Sequence, residues 1–239
     1  MSQGPPSGFP PSSAWPAPAA GIPWDRRDEL GFVTALVETT KEVLTGPSDF
    51  FRRMPVAGGI GSPLLYAVVI GYLGLLLSAV YSAVFVLVRG AAGAAALGPL
   101  SDRPELAHFV AALEGWGGII GQVVFGPIGI VIGVFIWTAI THLMLLLLDG
   151  AGQGFEATFR VLCYSHAASV LAIVPLCGGL IAGLWSLVLW IIGLTHAQRI
   201  PAWKAVAAVF LPILLCCCCC AAGVAMMAGG VASLIQHAR

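Results

Sequence analysis

Five ionisable residues lie within or beside long apolar stretches of this sequence, and they are the side chains best suited to chemistry. They are His142, Asp149, Glu156, Arg160 and His166. Ionisable groups inside apolar spans are costly, and they usually face the interior of a bundle or a water-filled cavity. A cluster of acid, histidine and arginine side chains could relay protons or bind a polar solute.

A purely structural interpretation of the same residues stays open. Arg160 and His166 are six residues apart, which places them about 9 Å apart along a helix and roughly 120° apart around it. They therefore do not share one helix face. Arg160 could instead extend to lipid headgroups, while the histidines hydrogen-bond to neighbouring helices.

Motifs of enzymes and metal sites are not found. The sequence has no G-x-S-x-G, H-E-x-x-H or P-loop motif. Ser165 and His166 are adjacent, and adjacent helix residues do not face each other. Five of the seven cysteines form the run 216–220 within an apolar stretch, where cysteine packs as a small hydrophobe; lipidation is the alternative. We expect no enzyme activity, no cofactor and no metal.

The composition is that of a membrane protein. Of the 239 residues, 59% are hydrophobic and only 9% are charged, whereas an average soluble domain is roughly 25% charged. The mean hydropathy is +0.95. The 11 basic and 11 acidic residues cancel and form no basic patch, so we expect no nucleic-acid partner. The partner implied by the composition is the lipid bilayer.

Two segments precede the apolar region. Residues 1–24 hold 7 of the 16 prolines and no charged residue, which predicts a disordered tail. Residues 25–61 form a juxtamembrane segment, of which 25–54 interleave charged and apolar side chains. We predict a short amphipathic helix at the membrane surface that ends near residues 46–47. The candidate contacts with a partner or the lipid surface are Phe32, Leu36, Phe50, Phe51, Arg52 and Arg53.

The remaining chain predicts an all-α bundle of about five transmembrane helices over residues 62–235. A helix needs about 20 apolar residues to cross a ~30 Å hydrocarbon core. The uncharged stretch 117–148 is too long for one upright helix, and we expect Pro127 to divide it. The predicted spans are 64–88, 128–148, 159–176, 180–195 and 205–228. A four-span alternative makes 159–176 re-entrant.

The basic residues predict the orientation, because cytoplasmic loops retain Lys and Arg. In a five-span topology eight bases fall on the side of the N-terminus and three on the other side. We therefore place the N-terminus in the cytoplasm. Low Lys with high Ala, Gly and Pro favours a bacterial source and hence the inner cell membrane.

Three stretches together resemble the Yip domain family, whose members are named for interaction with Ypt/Rab GTPases, in its bacterial branch. They are LTGP and FFRRMP at 44–55, the stretch 159–175 with YSHA inside it, and 185–205 with WIIGL and PAWKA. The resemblance covers roughly residues 43–220. It implies five spans and a cytoplasmic N-terminus.

The resemblance implies less about function. Eukaryotic relatives are associated with Rab recruitment and with shaping Golgi and endoplasmic-reticulum membranes. They carry an acidic Asp-Leu-Tyr-Gly-Pro type motif before the first span, of which residues 43–47 keep only the Leu, Gly and Pro. This departure argues against a Rab-binding role here.

Two functions are expected from these observations. The first is a non-enzymatic membrane scaffold or adaptor whose residues 25–54 contact a cytoplasmic protein or the lipid surface. The alternative is a small transporter or channel that uses His142, Glu156, Arg160 and His166. Pairs of glycines four residues apart at 117/121, 129/133 and 179/183 predict close packing within the bundle or a homo-oligomer.

Overall fold

The computed structural model describes residues 21–89, 115–175, 177–215, 217–218 and 223. These residues form helices and no strands, which confirms the all-α prediction for this part of the chain. The elements are a 3₁₀ turn (Pro23–Arg26), α1 (Arg27–Leu30), α2 (Phe32–Thr45), α3 (Pro47–Arg53), α4 (Gly61–Arg89), α5 (Trp116–Leu147), α6 (Gly154–Ser165), a 3₁₀ helix (His166–Ile173), α7 (Gly178–Ala197) and α8 (Ala202–Leu215).

Three of the described helices are long and apolar enough to cross a membrane. They are Gly61–Val88 in α4, Trp116–Leu147, which is α5, and Gly178–Ala197, which is α7. The 28 residues in α4 extend about 42 Å, which exceeds the ~30 Å hydrocarbon core. The predicted spans 64–88 and 180–195 fall within α4 and α7.

The predicted break at Pro127 is wrong, because α5 runs through it as one helix of 32 residues. A proline inside a helix lacks the N–H that would bond to the carbonyl four residues earlier. That carbonyl belongs to Val123, and it accepts a hydrogen bond of 3.1 Å from the Tyr72 hydroxyl of α4. A neighbouring helix therefore supplies the missing donor, as is common in membrane proteins.

The α6 helix and the 3₁₀ helix after it form a segment that runs alongside α4. Near its start, Arg160 Nη2 donates to the Gly59 carbonyl at 3.0 Å. Further on, Ser169 Oγ donates to the Ile70 carbonyl at 3.0 Å, and Tyr81 donates to the Ile173 carbonyl. This segment lies where we predicted the span 159–176, but it consists of two shorter helical pieces.

Residues 22–54, here called the cap, pack into the protein. The buried apolar side chains of the cap are Ile22, Trp24, Ala35, Leu36, Val43, Phe50, Phe51 and Met54. Residues 21–24 were predicted to lie in the disordered tail, yet Ile22 and Trp24 are fully buried. Residues 1–20 lie outside the described residues.

The predicted contact residues Leu36, Phe50 and Phe51 are also core residues of the cap. The α3 helix inserts its two phenylalanines against α6 and α7. Gly193 of α7 makes this approach possible, because a Cβ there would lie 2.5 Å from Val161 Cγ1 and 3.2 Å from the Phe51 ring. An amphipathic sequence pattern alone could not distinguish this protein surface from a lipid surface.

The boundaries of the other elements follow local signals. The α2 helix ends at Thr45, and Pro47 starts α3, which agrees with the predicted end near residues 46–47. The α8 helix is described as far as Leu215. Most of the remainder of the predicted span 205–228 lies outside the described residues, as does the connection 90–114.

Candidate functional site

Arg160 stands at the centre of a buried polar arrangement, here called the clamp. The residue is 3% exposed, so it does not extend to the headgroups. Its Nε donates to Glu156 Oε1 at 3.1 Å and its Nη2 donates to the Gly59 carbonyl at 3.0 Å. The Gly59 N–H donates to the same Glu156 oxygen at 2.7 Å. The clamp thus ties the loop before α4 to α6.

Gly58 is required at this position for two reasons. Its φ is +132°, which L side chains rarely adopt, and a Cβ there would lie 2.9 Å from Arg160 Nη2. The sequence signal that could have revealed the loop is the pair of adjacent glycines, Gly58 and Gly59, in front of the first span. Arg160 lies more than 100 residues further along the chain, so no local sequence pattern indicates its contact with this loop.

An aromatic cluster of Trp24, Phe50, Tyr66 and Tyr164 lies beside the clamp. All four side chains are fully buried. The centroid of the Tyr66 ring lies 5.4 Å from that of Trp24 and 5.2 Å from that of Tyr164, which in turn lies 5.4 Å from Phe50. The cluster joins the cap to α4 and α6, and Phe50 alone among its four members was a predicted contact residue.

Hydrogen bonds fix two members of the aromatic cluster. Trp24 Nε1 donates to the Ser62 carbonyl at 2.8 Å. The Thr40 hydroxyl donates to the Leu36 carbonyl at 2.7 Å and lies 2.8 Å from Tyr66 Oη. Because the one proton of Thr40 is already used, Tyr66 must be the donor to Thr40.

Asp25 lies at the edge of the same region, in the 3₁₀ turn after Trp24. Although the residue as a whole is exposed, burial of its carboxyl group raises its pKa. The positive charges of Arg160 and Arg27 oppose that shift and lower the pKa. The charge of Arg160 therefore acts on Asp25, although no hydrogen bond joins Asp25 to the clamp.

His142 belongs to a different polar network on the same side of the bundle. Its Nδ1 lies 3.1 Å from Thr158 Oγ1. The Gln198 amide nitrogen donates to Thr158 Oγ1 at 2.9 Å and to the Gly154 carbonyl at 2.8 Å. Gln198 is buried, and its amide oxygen accepts from the Gln153 N–H at 2.8 Å. The network joins α5, α6 and the end of α7.

Asp149 and His166 are also separate from the clamp. Asp149 participates through its backbone carbonyl, which accepts from Lys204 Nζ at 3.0 Å. His166 Nδ1 lies 3.0 Å from the Leu162 carbonyl, and because a carbonyl only accepts, that nitrogen carries a proton. Of the five predicted polar residues, only Glu156 and Arg160 contact each other.

A groove of about 520 Å³ runs along α5 between the 3₁₀ helix and α7. Its polar lining side chains are Gln122 and His166, and the others are apolar or glycine. Gly129 and Gly133 line this groove and have open space where a Cβ would be. Their predicted close packing is therefore not found among the described residues, and a homo-oligomer through this face stays a prediction.

The exposed part of the cap carries the remaining predicted contacts. Phe32 is 45% exposed. Arg52 pairs with Asp49 at 2.9 Å and Arg53 pairs with Glu42 at 2.8 Å, with all four side chains accessible. Two further apolar side chains of α2 are exposed and were not among the predicted contacts: Val33 at 70% and Val37 at 59%.

The arrangement supports binding and positioning better than catalysis. No group of three or more His, Cys, Asp or Glu side chains that could hold a metal ion occurs in the part of the chain that the structure describes. The clamp and the His142 network both join one helix to another through fixed hydrogen bonds.

Comparison with known proteins gives a family match. The sequence model of the Yip1 domain matches residues 41–223, which include the clamp and three of the four members of the aromatic cluster. No curated protein and no solved structure matches the chain.

Proposed function

Because this chain belongs to the Yip1 domain family of membrane proteins, we propose that it is a non-enzymatic scaffold or adaptor in the cell membrane. The proposal rests on the way in which the cap is held on the bundle. Its aromatic side chains anchor it on the bundle, while Phe32, Val33 and Val37 and the charged groups of α2 and α3 stay accessible. A rigidly held surface of this kind suits contact with lipid headgroups and a cytoplasmic partner.

The depth of the segment 154–173 supports five spans. Tyr81, which bonds to Ile173, lies 20 residues after Gly61, or about 30 Å along α4. The segment therefore accompanies α4 over a distance similar to the ~30 Å hydrocarbon core. With α4, α5 and α7, and with α8 counted as the beginning of a fifth span, we count five spans.

Contacts between loops support an N-terminus in the cytoplasm. Gln153 and Gln198 are hydrogen-bonded, and Lys204 reaches Asp149. The loops after α5 and α7 thus meet on the side of the cap, where eight of the 11 bases fall. That excess favours the cytoplasmic side. A bacterial inner membrane follows from the composition and is part of the proposal.

Topology mapping tests this arrangement. Reporter fusions or single-cysteine labelling at the N-terminus, at residues 100, 152 and 200, and at the C-terminus are expected to give in, out, in, in and out. Both termini on one side would mean that the segment 154–173 does not cross, and the five-span proposal would fail.

The α2 helix is well placed to lie at the membrane surface. Tyr66, to which Thr40 is bonded, lies five residues after Gly61 and hence about 7.5 Å into α4. The α4 helix exceeds the hydrocarbon thickness by about 12 Å, so its first turns lie at headgroup level. Val33 and Val37 share one side of α2, next to its buried face, and would contact lipid there.

Photo-crosslinking distinguishes lipid contact from protein contact on the cap. A photoreactive residue at Val33 or Val37 is expected to capture lipid, whereas one at Arg52 is expected to capture a defined cytoplasmic protein. A matched control is Thr45, which is exposed on α2 away from the valines. No specific protein product at Arg52 in intact cells would contradict the adaptor role. Deletion of residues 25–54 is a poor test, because it removes much of the core.

The transporter or channel alternative has less support. It needs His142, Glu156, Arg160 and His166 to converge on a wet cavity, and these residues lie in three separate hydrogen-bonded groups. The groove beside α5 contains only His166 of these four and is largely apolar.

A further inference from the structure

Two buried donors beside the aromatic cluster lack a partner. Arg160 Nη1 and the Tyr164 hydroxyl are both shielded from solvent, and neither has a hydrogen-bond partner among the described residues. The two residues are four apart on α6, so their side chains lie on one helix face. Buried polar groups in folded proteins nearly always have a hydrogen-bond partner. We therefore expect an acceptor close to these two donors.

Asp25 is a suitable acceptor near this region, because the positive charge of Arg160 already acts on its carboxyl group. It follows Trp24, whose ring contacts Tyr66, and Tyr66 contacts Tyr164. Its carboxylate has no hydrogen-bond partner in the described part of the chain. A carboxylate offers two oxygens and about four lone-pair sites, which is enough for an arginine N–H and a tyrosine O–H at once.

We propose that the Asp25 carboxylate closes onto Arg160 Nη1 and the Tyr164 hydroxyl, so that the first turn of the cap acts as a strap over α6. In the closed form Arg160 bonds to three acceptors: Glu156, the Gly59 carbonyl and Asp25. In the open form, which the structure shows, neither donor is hydrogen-bonded to Asp25 or to another described residue. The strap would set how firmly the start of the cap is held at the membrane surface.

Closing and opening of the strap change hydrogen bonds only, and no covalent bond is made or broken. Arginine keeps its proton and bonds strongly to a carboxylate through several N–H groups. The attraction between Asp25 and Arg160 acts in a region shielded from water, where charge-assisted bonds are strengthened. The proposal concerns the regulation of the cap and does not depend on the adaptor role.

Tyr164→Phe tests the strap, because it keeps the ring and removes only the hydroxyl. If the strap closes, the variant loses a hydrogen bond, and we expect a lower Tm in detergent, by roughly 4 °C. We also expect roughly tenfold faster trypsin cleavage after Arg26 and Arg27, because cleavage tracks the open population. If the hydroxyl is always unpaired, removing it raises the Tm and leaves cleavage unchanged, which would overturn the proposal.

Asp25→Ala identifies the acceptor, because alanine removes both carboxylate oxygens, whereas asparagine would keep one acceptor. The strap predicts a lower Tm for this variant and no further decrease when Tyr164→Phe is added, because both changes break the same contact. Asp28→Ala, which alters an exposed acid in the next turn, is the matched control and should have no effect. A decrease with Tyr164→Phe but none with Asp25→Ala would mean that Asp25 is not the acceptor, and the strap would be rejected.

Discussion

Arg160 is the residue at which α6 meets the loop before α4. A buried cation is tolerated only where hydrogen bonds replace the lost water, and here the Glu156 carboxylate and the Gly59 carbonyl provide them. Because Arg160 Nη1 has no partner among the described residues, removal of one of these two acceptors would leave the buried guanidinium with still fewer hydrogen bonds. We therefore regard Glu156 and Arg160 as positioning residues for the loop before α4.

Glu156→Gln should destabilise the protein by about 1.5–3 kcal/mol, the range for hydrogen bonds to charged groups. The amide keeps the size of the side chain but removes the charge that faces Arg160. Asp49→Asn is the matched control, because the Asp49–Arg52 pair is 76% and 68% exposed and such surface pairs contribute at most about 1 kcal/mol. Equal losses in Tm for the two variants would show that the clamp is no stronger than a surface pair.

Tyr72→Phe should destabilise α5 by about 1 kcal/mol, because it removes the donor to the Val123 carbonyl. Pro127→Ala restores a backbone N–H for that carbonyl. In the Pro127→Ala background, Tyr72→Phe should therefore have a clearly smaller effect on the Tm. The same loss in both backgrounds would mean that the hydroxyl does not compensate for the proline.

Part of the site could be predicted from the sequence, because two of its residues form a conspicuous local pattern. Glu156 and Arg160 were predicted because charged residues in apolar stretches are conspicuous, and they are four residues apart. Trp24, Tyr66 and Tyr164 were missed because aromatic residues are common in membrane proteins and these three are separated by 42 and 98 residues. Only the folded chain brings them together.

At the scale of elements, apolar length predicted α4 and α7 well, since a charge-free stretch that can cross a bilayer is a strong signal. The errors arose where a local rule depended on neighbours. Pro127 does not interrupt α5, because Tyr72 satisfies the freed carbonyl. The apolar side of residues 25–54 predicted a membrane surface, yet most of that side is buried within the protein.

Close packing of α3 and α6 on α7 depends on Gly193. Gly193→Ala should destabilise the protein by about 1–3 kcal/mol, because the new Cβ would overlap Val161 and press on Phe51. Gly183→Ala on the same helix has open space and should be neutral or stabilising by up to about 1 kcal/mol. Thermal unfolding of both variants in detergent measures the difference.

A second substitution separates overlap from other effects at this position. Val161→Ala removes the methyl groups that the new Cβ would meet, so it should restore part of the stability of Gly193→Ala. If the double variant is less stable than either single variant, overlap with Val161 is not the cause.

At the scale of the whole molecule, the cap and the bundle share one core. Aromatic contacts continue from Trp24 through Tyr66 and Tyr164 to Phe50, and these residues come from the cap, α4 and α6. We therefore expect the cap and the bundle to unfold in one cooperative transition. A cap that was merely tethered would instead be lost first.

Trp24→Ala tests this expectation, because Trp24 is fully buried and such truncations cost about 3–5 kcal/mol. The reporter is the thiol of Cys163, which is buried in α6 beside Tyr164, in a background with the other six cysteines replaced by alanine. If cap and bundle form one unit, Trp24→Ala lowers the temperature at which Cys163 becomes labelled. Trp203→Ala, at a site 61% exposed, should change it little. An unchanged labelling temperature for Trp24→Ala would mean that the bundle is stable without the cap, and that the cap can detach while the spans stay folded.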